Sequence, residues 1–201
     1  MRRVVVLALL ALALPIAAWA DDIVLTNMFG SVSISNSGVS SFGSQLHSFN
    51  GITAPAGHSL GAVSYNTGAL ASGSITGGGT FVGGASSSFI VTGKGNFGQP
   101  KGAIFTGSFV GPVTWTVVSH VNQTYVFQLS GTITGTLWNG RTATGTTVQT
   151  IYTSNGQLVK TIGHIQVGTT TFPAPEPGTL GLLGTGLVGI AGMFRRKLIG
   201  A

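Results

Sequence analysis

Between Tyr125 and Leu137 the chain alternates with a period of two. Tyr125, Phe127, Leu129, Gly131, Ile133, Gly135 and Leu137 fall on one face, and Gln128, Ser130, Thr132, Thr134 and Thr136 on the other. Successive side chains of a β-strand point to opposite sides, whereas a helix repeats every 3.6 residues, so this segment buries its apolar set only as a strand. Val113, Trp115 and Val117 alternate with Thr114 and Thr116 in the same way. Asn-Gly pairs at 50–51, 139–140 and 155–156 supply turns, because both residue types tolerate the positive φ that a tight hairpin needs. Asn139-Gly140 joins a strand near 123–138 to one near 141–153, and Asn155-Gly156 leads into a last strand near 158–167. The expectation is an antiparallel meander from Gly102 to Val167.

Upstream the pattern is more broken. Val24-Leu25, Ser31–Ser35, Gln45–Phe49, Ala62–Tyr65, Ser74–Thr76 and Ser88–Thr92 read as short strands, with turns or loops at Gly77-Gly78-Gly79 and Gly83-Gly84. About ten short strands, apolar on one face, predict an all-β domain over 21–168, an antiparallel β-sandwich of jelly-roll type. A glycine-rich β-solenoid is the alternative, although no fixed repeat period supports it.

Composition narrows the chemistry. Only three residues are acidic (Asp21, Asp22 and Glu176) and there is no cysteine. That leaves little from which to build a paired-carboxylate active site or a calcium cage, and nothing for thiolate catalysis or a zinc finger. The net charge is +6, but Arg2, Arg3, Arg195, Arg196 and Lys197 lie at the two ends, and Lys94, Lys101, Arg141 and Lys160 are spread singly between them. Nucleic-acid binding needs clustered cations, so it is not expected.

The two ends read as addresses. Residues 1–20 have the form of a secretory signal peptide: Arg2-Arg3, an apolar run from Val4 to Ile16, then Ala18-Trp19-Ala20 with the small residues Ala18 and Ala20 framing the cleavage site. Residues 169–178 form a Thr/Pro-rich linker containing Pro175-Glu176-Pro177. An uncharged Gly/Leu-rich segment at 179–194 follows, read as a membrane-spanning helix, about 24 Å long at 1.5 Å per residue. The basic tail 195–201, with Arg195, Arg196 and Lys197, stops transfer and stays in the cytoplasm. This arrangement resembles the PEP-CTERM sorting signal. The resemblance covers residues 173–197 and implies export, transient anchoring in the inner membrane of a Gram-negative envelope, and processing by an exosortase, a membrane cysteine peptidase. It also implies a setting in which exopolysaccharide is made.

Several catalytic motifs occur without their context. Gly57-His58-Ser59-Leu60-Gly61 matches the nucleophile elbow, but a serine triad needs an acid to orient the histidine, and none lies between Asp22 and Glu176. Gly93-Lys94-Gly95-Asn96-Phe97-Gly98 matches the dinucleotide fingerprint, yet Pro100 and Gly102 prevent the helix whose N-terminus would hold the pyrophosphate. His47, His58, His120 and His164 show no local ligand spacing, so no metal or other cofactor is expected. Trp115 and Tyr125 are in phase with the core, whereas Trp138, beside a turn, is expected to be exposed. No catalytic residue is assigned. The expectation is a Sec-exported, non-enzymatic protein, held in the periplasm by the inner membrane and then released to the cell surface or extracellular matrix. Its role would be structural or adhesive, linked to exopolysaccharide and biofilm. The alternatives are a carbohydrate-binding module using Trp138 and a secreted esterase using Ser59.

Overall fold

The computed structural model describes residues 22–122, 124–154 and 161–174. The signal peptide with Ala18 and Ala20, the Asn155-Gly156 turn, the Pro175-Glu176-Pro177 motif, the 179–194 segment and the tail with Arg195, Arg196 and Lys197 lie outside them. Among the described residues no helix is long and apolar enough to cross a membrane. The strands are β1 (Ile23–Met28), β2 (Ser31–Ser35), β3 (Gly38–Phe42), β4 (Ser44–Phe49), β5 (Ile52–Thr53), β6 (Gly61–Asn66), β7 (Leu70–Ser74), β8 (Gly78–Phe81), β9 (Ser88–Lys94), β10 (Lys101–Val121), β11 (Thr124–Leu137), β12 (Thr142–Ser154) and β13 (Thr161–Phe172).

These strands close a ring. β1 pairs with β4, β4 with β6, β6 with β9, β9 with β10, and β10 through β13 form the meander. β13 then returns to β1, with Ile23 opposite Phe172 and Asn27 opposite Gly168. Every pairing is antiparallel, so the fold is an eight-stranded closed barrel. This corrects the β-sandwich and equally the β-solenoid. Alternation says only that each strand has an inside and an outside; a sandwich and a barrel share that property. The pairing of the last strand with the first separates them, and it leaves the barrel wall no free edge.

The wall is built in two ways. β10 to β13 are continuous. On the other side β1 and β2 lie end to end along β13, and β9 and β8 lie end to end along β10. Phe29 and Gly30 separate β1 from β2 with φ of 62° and 82°, and Gly43, φ 72°, separates β3 from β4. The two breaks sit side by side. A Cβ on Gly30 would fall on the Ser44 backbone nitrogen, so that close approach requires glycine. β3, β5 and β8 were not among the expected strands; the strand expected at Ser74–Thr76 is instead β7, ending at Ser74, and Gly78 and Gly79, expected in a turn, open β8. Thr169–Phe172, read as linker, belongs to β13.

Apolar side chains fill the interior. Tyr65, Phe89, Phe105, Phe109 and Phe172 form one aromatic run, with Phe105 and Phe172 centroids 4.6 Å apart. Trp115 stacks on Phe127 at 4.4 Å and meets Phe81 edge-on, while its indole N–H donates to Ile75 O at 2.8 Å. Gly131 and Gly145, on the inward face, leave the room that the Phe109 and Phe172 rings occupy. One buried cluster is polar. Asn27 Nδ2 donates to Ser44 Oγ and to Gln149 Oε1, both at 2.9 Å, and Gln149 Nε2 donates to Thr147 Oγ1 at 2.9 Å. Thr170 Oγ1 donates to the same threonine oxygen at 2.9 Å. The cluster straddles the seam where β13 meets β1, so it rewards one closing register over its neighbours. Outside, eight threonines and one serine line up across strands: Thr106, Thr136 and Thr142 in one row, Ser108, Thr134 and Thr144 in the next, and Thr132, Thr146 and Thr171 in a third.

Candidate functional site

In an antiparallel ring, alternate connections share an end. The segment from β4 to β6, the β9–β10 loop, the β11–β12 turn, Asp22 and Pro173 therefore all lie on one rim of the barrel. Side-chain contacts bear this out. Phe49 at the end of β4 meets Trp138 in the β11–β12 turn edge-on at 5.4 Å, and His58 meets Phe97 of the β9–β10 loop at 5.9 Å. Gln99, 3% exposed, fastens that loop. Its Nε2 donates to Leu60 O at 2.6 Å and to Asn96 Oδ1 at 2.7 Å, and its Oε1 accepts from Phe97 N at 2.9 Å.

Charge gathers on this rim. Lys94 closes β9 and Lys101, directly opposite it, opens β10; Arg141 precedes β12 and Asp22 precedes β1. Among the described residues these four are all the Lys, Arg, Asp and Glu side chains there are. In sequence the three cations stand 7 and 40 residues apart (101 − 94 and 141 − 101), which is why a search for charge runs passes over them. Their common feature is position at a strand end beside alternate turns, a signal that becomes readable once the meander is recognised.

Ser59 is buried and lines a surface groove of about 340 Å³ with Gln45, Thr92 and Lys94. It follows a turn in which His58 N donates to Pro55 O at 3.0 Å, and β6 follows it, so the strand-to-helix elbow is absent. Lys94 Nζ donates to Ser59 Oγ at 2.7 Å. That bond uses one of the three N–H groups of the ammonium. The Gly93–Gly98 match spans the end of β9 and its loop, with no helix behind it.

The histidines are dispersed: His58 against Phe97, His120 stacked on Tyr125 at 3.8 Å, His164 near Tyr152 at 5.5 Å, and His47 in β4. Trp115 is core, at 1% exposed, as its phase predicts, and Trp138, beside the turn, is 41% exposed, as expected there. Tyr65 was not singled out by sequence. Its hydroxyl is buried without a hydrogen-bond partner among the described residues, and burial raises its pKa above the ordinary tyrosine value.

No curated protein and no solved structure matches the chain. One family model does, over the residues that follow the barrel. Residues 173–197 match the PEP-CTERM protein-sorting motif, the signal of extracellular proteins sorted by an exosortase in association with the membrane.

Proposed function

We propose that this chain is a non-enzymatic barrel that the cell exports through Sec, holds at the periplasmic face of the inner membrane, and releases to the cell surface or matrix after exosortase processing. There it acts as a structural or adhesive element associated with exopolysaccharide. The observation that carries the reading is the sorting motif at 173–197. The outer wall supports the adhesive part: rows of threonine in register offer hydroxyls and methyls over a surface whose described residues carry no Lys, Arg, Asp or Glu away from the terminal rim. A second reading, carbohydrate binding, is favoured by the partly exposed Trp138 indole, whose face can stack on a sugar ring.

The sorting step has a direct test. Glu176 is the one acidic residue of the motif, and a charge-assisted hydrogen bond from a cationic group of the processing enzyme would read it. Glu176→Gln keeps the size and removes the charge. With an epitope tag in the barrel, fractionation of the native host is expected to show wild type shortened and outside the inner membrane, and the variant longer and membrane-bound. Equal processing of both removes Glu176 as the mark. A wild-type chain that is never cut removes the sorting reading.

A further inference from the structure

The sorting motif follows the barrel with almost no slack. Phe172 is 1% exposed and lies opposite Ile23 in the closing pair of strands. Glu176 is four residues further on, so chain connectivity limits its reach to about 14 Å from that buried residue at ~3.5 Å per residue. Whatever engages the motif at the membrane therefore has the terminal rim beside it.

The chemistry of that rim is distinct from the rest of the described barrel. Among the described residues it holds Lys94, Lys101 and Arg141 and one acidic side chain, Asp22. Lys94 is steadied by Ser59, which uses one of its three N–H groups. Beside the cations stand Trp138, 41% exposed, and Phe97, 37% exposed, each braced edge-on by a ring behind it. Cations that meet phosphate, next to a Trp whose body is apolar and whose N–H stays wet, are the side chains that settle at a lipid headgroup layer. Exposed apolar residues elsewhere, such as Phe29, Val118 and Val121, have no cation beside them among the described residues.

We propose that this rim is a membrane-contact surface, with Lys94, Lys101 and Arg141 on the phosphates of anionic lipids and Trp138 and Phe97 at headgroup depth while the sorting signal is engaged. The proposal rests on the sorting reading for its setting and adds the surface. It gives the barrel one orientation: terminal rim down, threonine wall and far end outward.

The test uses the full chain on vesicles of phosphatidylcholine alone or mixed equally with phosphatidylglycerol, both carrying brominated acyl chains. Subtracting the Trp138→Phe signal isolates Trp138 from the other tryptophans. Quenching of Trp138 is expected on the mixed vesicles, with loss to the phosphatidylcholine level in the triple variant Lys94→Gln, Lys101→Gln, Arg141→Gln. It is also expected to fall at 1 M salt, where the screening length is ~3 Å. The charge-preserving variant Lys94→Arg, Lys101→Arg, Arg141→Lys is expected to keep the quenching, which separates loss of charge from loss of fold. Equal quenching on both vesicles, or a triple variant that quenches like wild type, overturns the proposal. So does a triple variant that is no longer processed in cells yet still quenches, because the rim then serves the peptidase. Failure of wild type to be shortened in the host removes the sorting reading and leaves the vesicle result to stand or fall alone.

Discussion

The two sides of the barrel reach the same wall by different means. β10 to β13 run 21, 14, 13 and 12 residues and pair with one another in chain order, with register shifts between Val110 and Thr114, between Val117 and Ser119 and between Thr150 and Ile151, whereas no strand before β10 exceeds 7 residues. On the long side β11 and β12 alternate cleanly, while β10 carries bulges and two glycines of positive φ, Gly102 and Gly111. The short side is interrupted by such glycines far more often, and two of them, Gly30 and Gly43, approach each other across a hairpin. A ladder of uniform strands twists but does not by itself bring its edges together; local breaks bend strands and re-aim them. The comparison teaches that the regular side supplies area and the broken side supplies closure. Buried contacts tie the two: Asn27 of β1 to Gln149 of β12, and Tyr65 of β6 to Phe109 of β10.

The comparison breaks most readily from the regular side. Trp115→Ala removes a fully enclosed indole, its stack on Phe127 and its bond to Ile75 O, and is expected to cost about 4 kcal/mol in urea unfolding followed by circular dichroism. A cost under ~1 kcal/mol means that the interior is not packed as described. The seam is next. A Cβ on Gly168 would meet both Gln149 Oε1 and Asn27 Oδ1, so Gly168→Ala is expected to cost about 3 kcal/mol by pushing the amides apart and leaving buried polar atoms unpaired.

On the broken side the expected effect is smaller and has an internal control. Gly30→Ala places a methyl on the neighbouring backbone at positive φ, and is expected to cost about 2 kcal/mol; Gly51→Ala, at similar φ with open space around it, about 1 kcal/mol. Equal costs would mean that the contact of the two breaks contributes nothing to closure.

Tyr65 sharpens the comparison with the least perturbation. Its phenol is buried with no hydrogen-bond partner among the described residues, and burial holds it neutral beyond the ordinary value. The folded chain keeps this proton where the unfolded chain releases it. The resulting stability is complete below pH ~10, the ordinary tyrosine value, and is lost as pH rises above it. Tyr65→Phe is expected to be neutral or stabilising by about 1 kcal/mol at pH 7 and to flatten the alkaline loss. A clear destabilisation at pH 7 would reveal a partner for the hydroxyl.

Much of this molecule was legible without coordinates, and its legible parts are local. Alternation from Tyr125 to Leu137 specified a strand that the structure bounds at Thr124–Leu137, because a period of two depends only on neighbours along the chain. The Asn139-Gly140 turn and the inward Trp115 follow from the same short-range rules, and so does the sorting motif, a contiguous run of residues. Barrel against sandwich was not legible. That choice rests on Ile23 meeting Phe172, residues at opposite ends of the domain, and on whether Asn27, Gln149 and Thr170 meet in register at the seam. The rim was equally hidden, since Lys94, Lys101 and Arg141 become neighbours only when alternate turns are folded to one end. Residues along the chain determine which way each side chain faces; which distant edge each strand finds is decided by the summed packing of the closed barrel, a quantity no single segment contains.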